Sequence, residues 1–130
     1  MATIFSKIVN GEIPCWKIAE DRNYLAFLDI NPLAKGHTLV IPKLEIDYIF
    51  NLDDPLLGGM MVFSKKIAKA IDKAIVCKRV GVAVIGLEVP HAHIHLIPIN
   101  NIYDIDFSQP KLKLTKDEFE EIMEKIKGEL

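Results

Sequence analysis

The 130-residue chain predicts an α+β fold: a five-stranded antiparallel sheet with a long covering helix, a short N-terminal helix and a C-terminal helix. Three observations lead there. Five short apolar runs, punctuated by Gly, Pro, Asn and Asp, lie at hairpin-like spacing. One long apolar stripe of helical period separates the third run from the fourth. The fifth run contains His91-Ala92-His93-Ile94-His95, whose period of two is that of a strand.

The elements follow in order. Ile4, Phe5 and Ile8 stand at helical spacing and Gly11 stops them, which predicts the short first helix. Cys15–Ala19 and Tyr24–Asp29 read as strands around the turn residues Asp21-Arg22-Asn23. Asn31-Pro32 and Lys35-Gly36 mark a loop, and His37–Ile41 is a third strand stopped by Pro42. Asp53 or Asp54, followed by Pro55, opens the long helix. Its stripe is Leu56, Met60, Phe63, Ile67, Ala70 and Ile71, and it runs to about Ile75. Gly58-Gly59 weakens it locally or lets another backbone approach closely. Val80–Ile85 reads as a central strand, Gly86–Pro90 as a loop, and 91–99 as the histidine strand. Residues 100–114 are irregular. Thr115-Lys116-Asp117-Glu118 has the form of a capping box and opens the last helix, striped by Phe119, Ile122 and Ile126.

No repeat or linker divides the chain, so residues 1–130 read as one domain. A formal net charge of −2 argues against a nucleic-acid partner. No apolar run reaches the roughly 20 residues of a membrane span, and no leader-like segment opens the chain. Cys15 and Cys77 match neither a zinc knuckle nor a redox pair, so they read as reduced, small packing groups in a cytoplasmic protein.

On a strand His91, His93 and His95 share one face, about 6–7 Å apart for each two residues. Ala92, Ile94 and Leu96 face the other way, toward a core. Three imidazoles in a row suit chemistry that needs a nitrogen nucleophile or a metal.

The run His91-Ala92-His93-Ile94-His95-Leu96-Ile97 resembles the signature of the histidine triad (HIT) family. Ile4-Phe5-Ser6-Lys7-Ile8, Ala26-Phe27-Leu28-Asp29-Ile30-Asn31-Pro32 and Gly36-His37-Thr38-Leu39-Val40-Ile41-Pro42-Lys43 resemble further family landmarks in the right order, so the resemblance spans about residues 4–99. It implies a HIT-like fold and an enzyme that hydrolyses or transfers nucleoside 5′-monophosphate units, typically AMP, through a covalent nucleotidyl-histidine. By that resemblance His93 is the nucleophile. His91 and His95 hold phosphate oxygens or the leaving group, and His37 is the family's fourth histidine. Asp29 would bond the ribose hydroxyls, and Ile4, Phe5, Ile8 and Ile30 would form an apolar slot for the purine. No cofactor is implied. A homodimer is, with Phe50, Leu56, Met60 and Met61 as apolar candidates for its interface.

The chain departs from the pattern twice. Many relatives have a longer loop before the triad, with a Gly-Gln-Ser/Thr-Val run that helps hold the phosphate. Here it is Gly86-Leu87-Glu88-Val89-Pro90, with Glu88 in place of the hydroxyl residue, and a carboxylate there repels phosphate unless turned away or protonated. Some bacterial relatives hold structural zinc through Cys-x-x-Cys and two histidines; this chain has Thr3, Ser6 and Glu45 instead, which predicts no metal. Two other readings stay open: a nucleotide-binding regulatory protein with little turnover, and a metal enzyme ligated by two triad histidines and His37.

Overall fold

The computed structural model describes residues 2–130. Its elements are α1 (Ile4–Val9), β1 (Lys17–Glu20), β2 (Tyr24–Leu28), β3 (Thr38–Pro42), α2 (Asp54–Ala74), β4 (Arg79–Ala83), β5 (Ile94–Ile99) and α3 (Lys116–Lys127), with single 3-10 turns at Ile49–Asn51 and Ile102–Ile105. The five strands form one antiparallel sheet in the order β1-β2-β3-β5-β4. The expected α+β class holds.

Local chemistry accounts for the helices. Asp53 caps α2 by accepting the Leu56 N–H at 2.8 Å, and Pro55 sits in the first turn, where its missing N–H costs nothing. The Thr115–Glu118 capping box opens α3. Thr3 caps α1. Gly59 gives way to a side chain rather than a backbone: a Cβ there would lie 2.2 Å from the Tyr24 hydroxyl, which donates to the Leu56 carbonyl at 2.8 Å.

Three strand assignments differ from expectation. The run Val80–Ile85 is not a central strand: β4 ends at Ala83 and lies at the sheet edge, and Val82, Val84 and Ile85 are exposed. β1 starts at Lys17, two residues later than expected; a bulge between Lys17 and Ala19 interrupts its pairing with β2, and the Trp16 ring stacks on Phe119. β5 starts at Ile94, not His91. The last pair of its ladder with β3 is Val40–Ile94, after which the Ala92 N–H bonds the Ile46 carbonyl at 2.7 Å.

Alternation along the strands sorts the sheet into two faces. Tyr24, Ala26 and Leu28 of β2, Val40 of β3, and Ile94 and Leu96 of β5 face a core closed by α2 and α3. Leu25, Phe27, Leu39 and Ile41 face the other way and pack with Phe5 of α1. His95 pairs with Leu39 in register, on that second face.

Candidate active site

The alternation outlasts the ladder. Ala92 joins the helix-covered core, while the rings of His91 and His93 pack against the ring of Phe5 at centroid distances of 5.8 and 5.1 Å. The rings of His93 and His95 lie 4.9 Å apart. His37 arrives from the turn before β3. Gly36 makes that turn with φ +96°, a conformation closed to most side chains, and a Cβ there would also press on Ile75 at 3.0 Å. All four histidines are buried.

Their hydrogen-bond partners assign the tautomers. His93 Nδ1 lies 2.7 Å from the His91 carbonyl, which only accepts, so Nδ1 carries the proton and Nε2 keeps a lone pair. His91 Nε2 donates to the Pro42 carbonyl at 2.8 Å, so its Nδ1 accepts from the Thr3 hydroxyl at 3.0 Å. The Leu33 N–H donates to His37 Nδ1 at 3.0 Å, so His37 Nε2 carries a proton and donates it to His95 Nδ1, also at 3.0 Å. His95 in turn keeps its proton on Nε2. One network sets four rings.

Burial favours the neutral form of His37, His91 and His95. It pushes His37 down to about 3, with the nearby His95, Lys111 and His93 adding to the effect. Burial and then His93 push His95 down to about 4. His91 is lowered by burial as well, opposed by its bond to Pro42. The 3.5 Å approach of His37 Nε2 to Asp29 Oδ2 is therefore not an ion pair near neutral pH.

Asp29 follows the end of β2 and is half-buried, with one oxygen accepting the Asn31 N–H at 2.8 Å. Burial pushes its carboxyl up from the ordinary range, Glu88 adds to this, and the Asn31 bond, His93 and Lys111 oppose it. Glu88 is exposed on the loop before His91. Phe5 is buried on the triad, Ile8 is half-buried beside it, and Ile4 and Ile30 are open to solvent.

Sequence reasoning missed two residues of the irregular segment after β5. The ring of Phe107 stands edge-on to His95 at 4.7 Å and to His37 at 6.2 Å. Lys111 is tied to it through the Phe107 carbonyl, and the Leu112 N–H bonds the Pro32 carbonyl at 2.8 Å. Nothing local in the sequence marks Phe107, whose ring partners His95 and His37 lie far back in the chain, and Lys111 bonds only carbonyls of its own aperiodic segment.

Asp29, His37 and His95 have potential ligand atoms within 4.8 Å of one another. The trio does not suit a metal. A metal on His37 Nε2 needs a lone pair there, which moves the ring proton to Nδ1, head-on to the Leu33 N–H. The thiol-free positions at α1 are knit together instead: Glu45 Oε1 accepts from the Thr3 N–H at 2.8 Å and the Ser6 hydroxyl at 2.6 Å.

Comparison with known proteins follows the same lines. The HIT domain model matches residues 10–102. An adenosine 5′-monophosphoramidase of Schizosaccharomyces pombe is 37% identical over 133 residues, covering 100% of this chain and 99% of its own. An uncharacterised HIT-like protein of Borreliella burgdorferi is 38% identical, covering 95% of this chain and 94% of its own. Among solved structures, a Hit-like protein involved in cell-cycle regulation from Bartonella henselae superposes with a TM-score of 0.85 at 32% identity, over 98% of this chain and 96% of that one.

Proposed function

The chain belongs to the HIT domain family, and on that premise we propose that it cleaves purine nucleoside 5′-monophosphate conjugates through a nucleotidyl intermediate on His93. It is an enzyme of the nucleotide hydrolase and transferase class. The substrate class put forward is a phosphoramidate, dinucleotide or acyl-adenylate, the first favoured by the name of the fission-yeast relative.

One observation carries the reading: the 2.7 Å bond from His93 Nδ1 to the His91 carbonyl, which leaves Nε2 with its lone pair. In the proposed reaction Nε2 attacks the α-phosphorus. The phosphorus–nitrogen bond forms as the bond to the leaving group breaks, and the leaving group departs with the bonding pair and takes up a proton from solvent. Water then attacks the same phosphorus, releases the nucleoside monophosphate and returns His93 to its starting form. His95, neutral with a proton on Nε2, donates to a phosphate oxygen or the leaving group without ionising, and Asp29 accepts from the ribose hydroxyls. Finer points belong to the same proposal. The protein acts in the cytoplasm, where the free thiols Cys15 and Cys77 stay reduced. It pairs as a homodimer over exposed apolar residues near the β4 edge, among them Phe50, Met61 and Val84. Met60 takes no part in that surface, because α2 turns it fully into the core, and Leu56 is only half-exposed.

The test is AMP release from adenosine 5′-phosphoramidate by the wild type and by His93→Ala. Turnover by the wild type, with His93→Ala retaining AMP binding but less than about a thousandth of the rate, is expected. Retention of more than a tenth of the rate by His93→Ala would overturn the assignment.

A further inference from the structure

His91 is the one triad histidine with both ring nitrogens engaged by protein groups, Nε2 by the Pro42 carbonyl and Nδ1 by Thr3. It is completely buried. Its N–H bonds the Val89 carbonyl at 2.8 Å, and its carbonyl receives the His93 Nδ1–H. No polar atom of this residue is left for a substrate. We propose that His91 is a positioning residue for His93, and that Thr3, backed by Ser6 and Glu45, is the clamp that holds it.

The clamp has a direction. Thr3 Oγ1 accepts the Ser6 N–H at 3.1 Å as the N-cap of α1, so its own proton is free to point at His91 Nδ1, where only a lone pair is on offer. Glu45, from the segment after β3, fixes the threonine from behind through the Thr3 N–H and the Ser6 hydroxyl. Those two bonds hold the Glu45 carboxyl below its ordinary range. The series therefore runs Glu45, then Thr3 and Ser6, then His91, then His93, each member setting the orientation of the next. Phe5, two residues beyond the cap of α1, is buried and packs edge-on against the rings of His91 and His93.

This inference rests on His93 as the nucleophile, and its test separates the two. Thr3→Val removes the hydroxyl but keeps the shape, while Thr3→Ser keeps both its bonds. The expected result is a fall in kcat on the order of ten-fold for Thr3→Val, with AMP affinity unchanged within about two-fold and the rate restored in Thr3→Ser. Tyr24→Phe serves as a control for stability alone, since it loses one hydrogen bond on the opposite face of the sheet and leaves kcat unchanged. An unchanged kcat in Thr3→Val, or a loss confined to AMP affinity, would overturn the clamp; the second result would put His91 on the phosphate. Ring-nitrogen NMR needs no turnover. If the wild type proves inactive, loss of the single Nδ1–H form of His93 in Thr3→Val still supports the clamp, and unchanged His91 and His93 spectra sink it.

Discussion

The two faces of the sheet are held together by different physics. On the face covered by α2 and α3 the contacts are almost wholly apolar, with Met60, Ile67 and Ile71 inaccessible to solvent. On the other face a smaller apolar cluster borders four buried imidazoles, and every buried side-chain polar atom among the described residues finds a partner. The first face depends on area removed from water, about 1.5–3 kcal/mol for each fully buried aliphatic side chain. The second depends on direction, since each hydrogen bond there specifies which nitrogen keeps its lone pair. A change on the first face alters stability and leaves chemistry alone. A change on the second alters the chemistry, and its buried rings also tie stability to pH.

Predictions that sharpen this contrast run from the largest effect to the smallest. The loss of turnover in His93→Ala is first, with a thermal midpoint close to wild type. Next, Ile67→Ala lowers unfolding stability by about 2–5 kcal/mol by leaving a cavity, with kcat unchanged below the transition; urea titration alongside steady-state rates checks both. A large loss of kcat there would mean that the faces are not independent.

Third, stability falls with acid on account of the histidine face. His37 and His95 are depressed to about 3 and about 4 from 6.5, so between those values the unfolded chain binds more protons than the folded one. Their contribution is fully present above pH 6.5 and is lost as pH falls toward the folded values. Each group adds a slope of up to about 1.4 kcal/mol per pH unit in that window. Urea midpoints at a series of pH values should drop from about pH 6.5 to about pH 5, less steeply in His95→Asn. A flat profile would show that these rings are not kept neutral by burial. The smallest effect expected is in Glu88→Ser, which removes a negative charge near Asp29 and tightens AMP or speeds turnover a few-fold, about 1 kcal/mol at most for an exposed group. Weaker AMP binding in that variant, measured by calorimetry, would show that Glu88 does not oppose the phosphate.

What could be read from the sequence divides along the same line. The helices were legible because their caps and stripes are local: Asp53 and Pro55 for α2, Thr115 and Glu118 for α3. The period of His91, His93 and His95 gave their shared face, although only His95 lies on the ladder. The edge position of β4 was not legible, since an apolar run looks alike at the centre of a sheet and at its edge. Nor were the partners of the rings. The bonds from His37 to His95 and from Thr3 to His91 close across 58 and 88 residues, and no local pattern encodes them. Thr3, Ser6 and Glu45 were legible as missing metal ligands but not as a hydrogen-bonded clamp. Phe107 and Lys111, in a segment without periodicity, were not legible at all.

The measurement that bears most directly on the account is the intact mass of the protein, acid-quenched or base-quenched within one turnover of mixing with adenosine 5′-phosphoramidate. A transient adduct of one AMP unit per chain in the wild type, stable in base, labile in acid and missing from His93→Ala, is the predicted result. Release of AMP by the wild type with no adduct at any quench time, or an adduct that persists in His93→Ala, would contradict it.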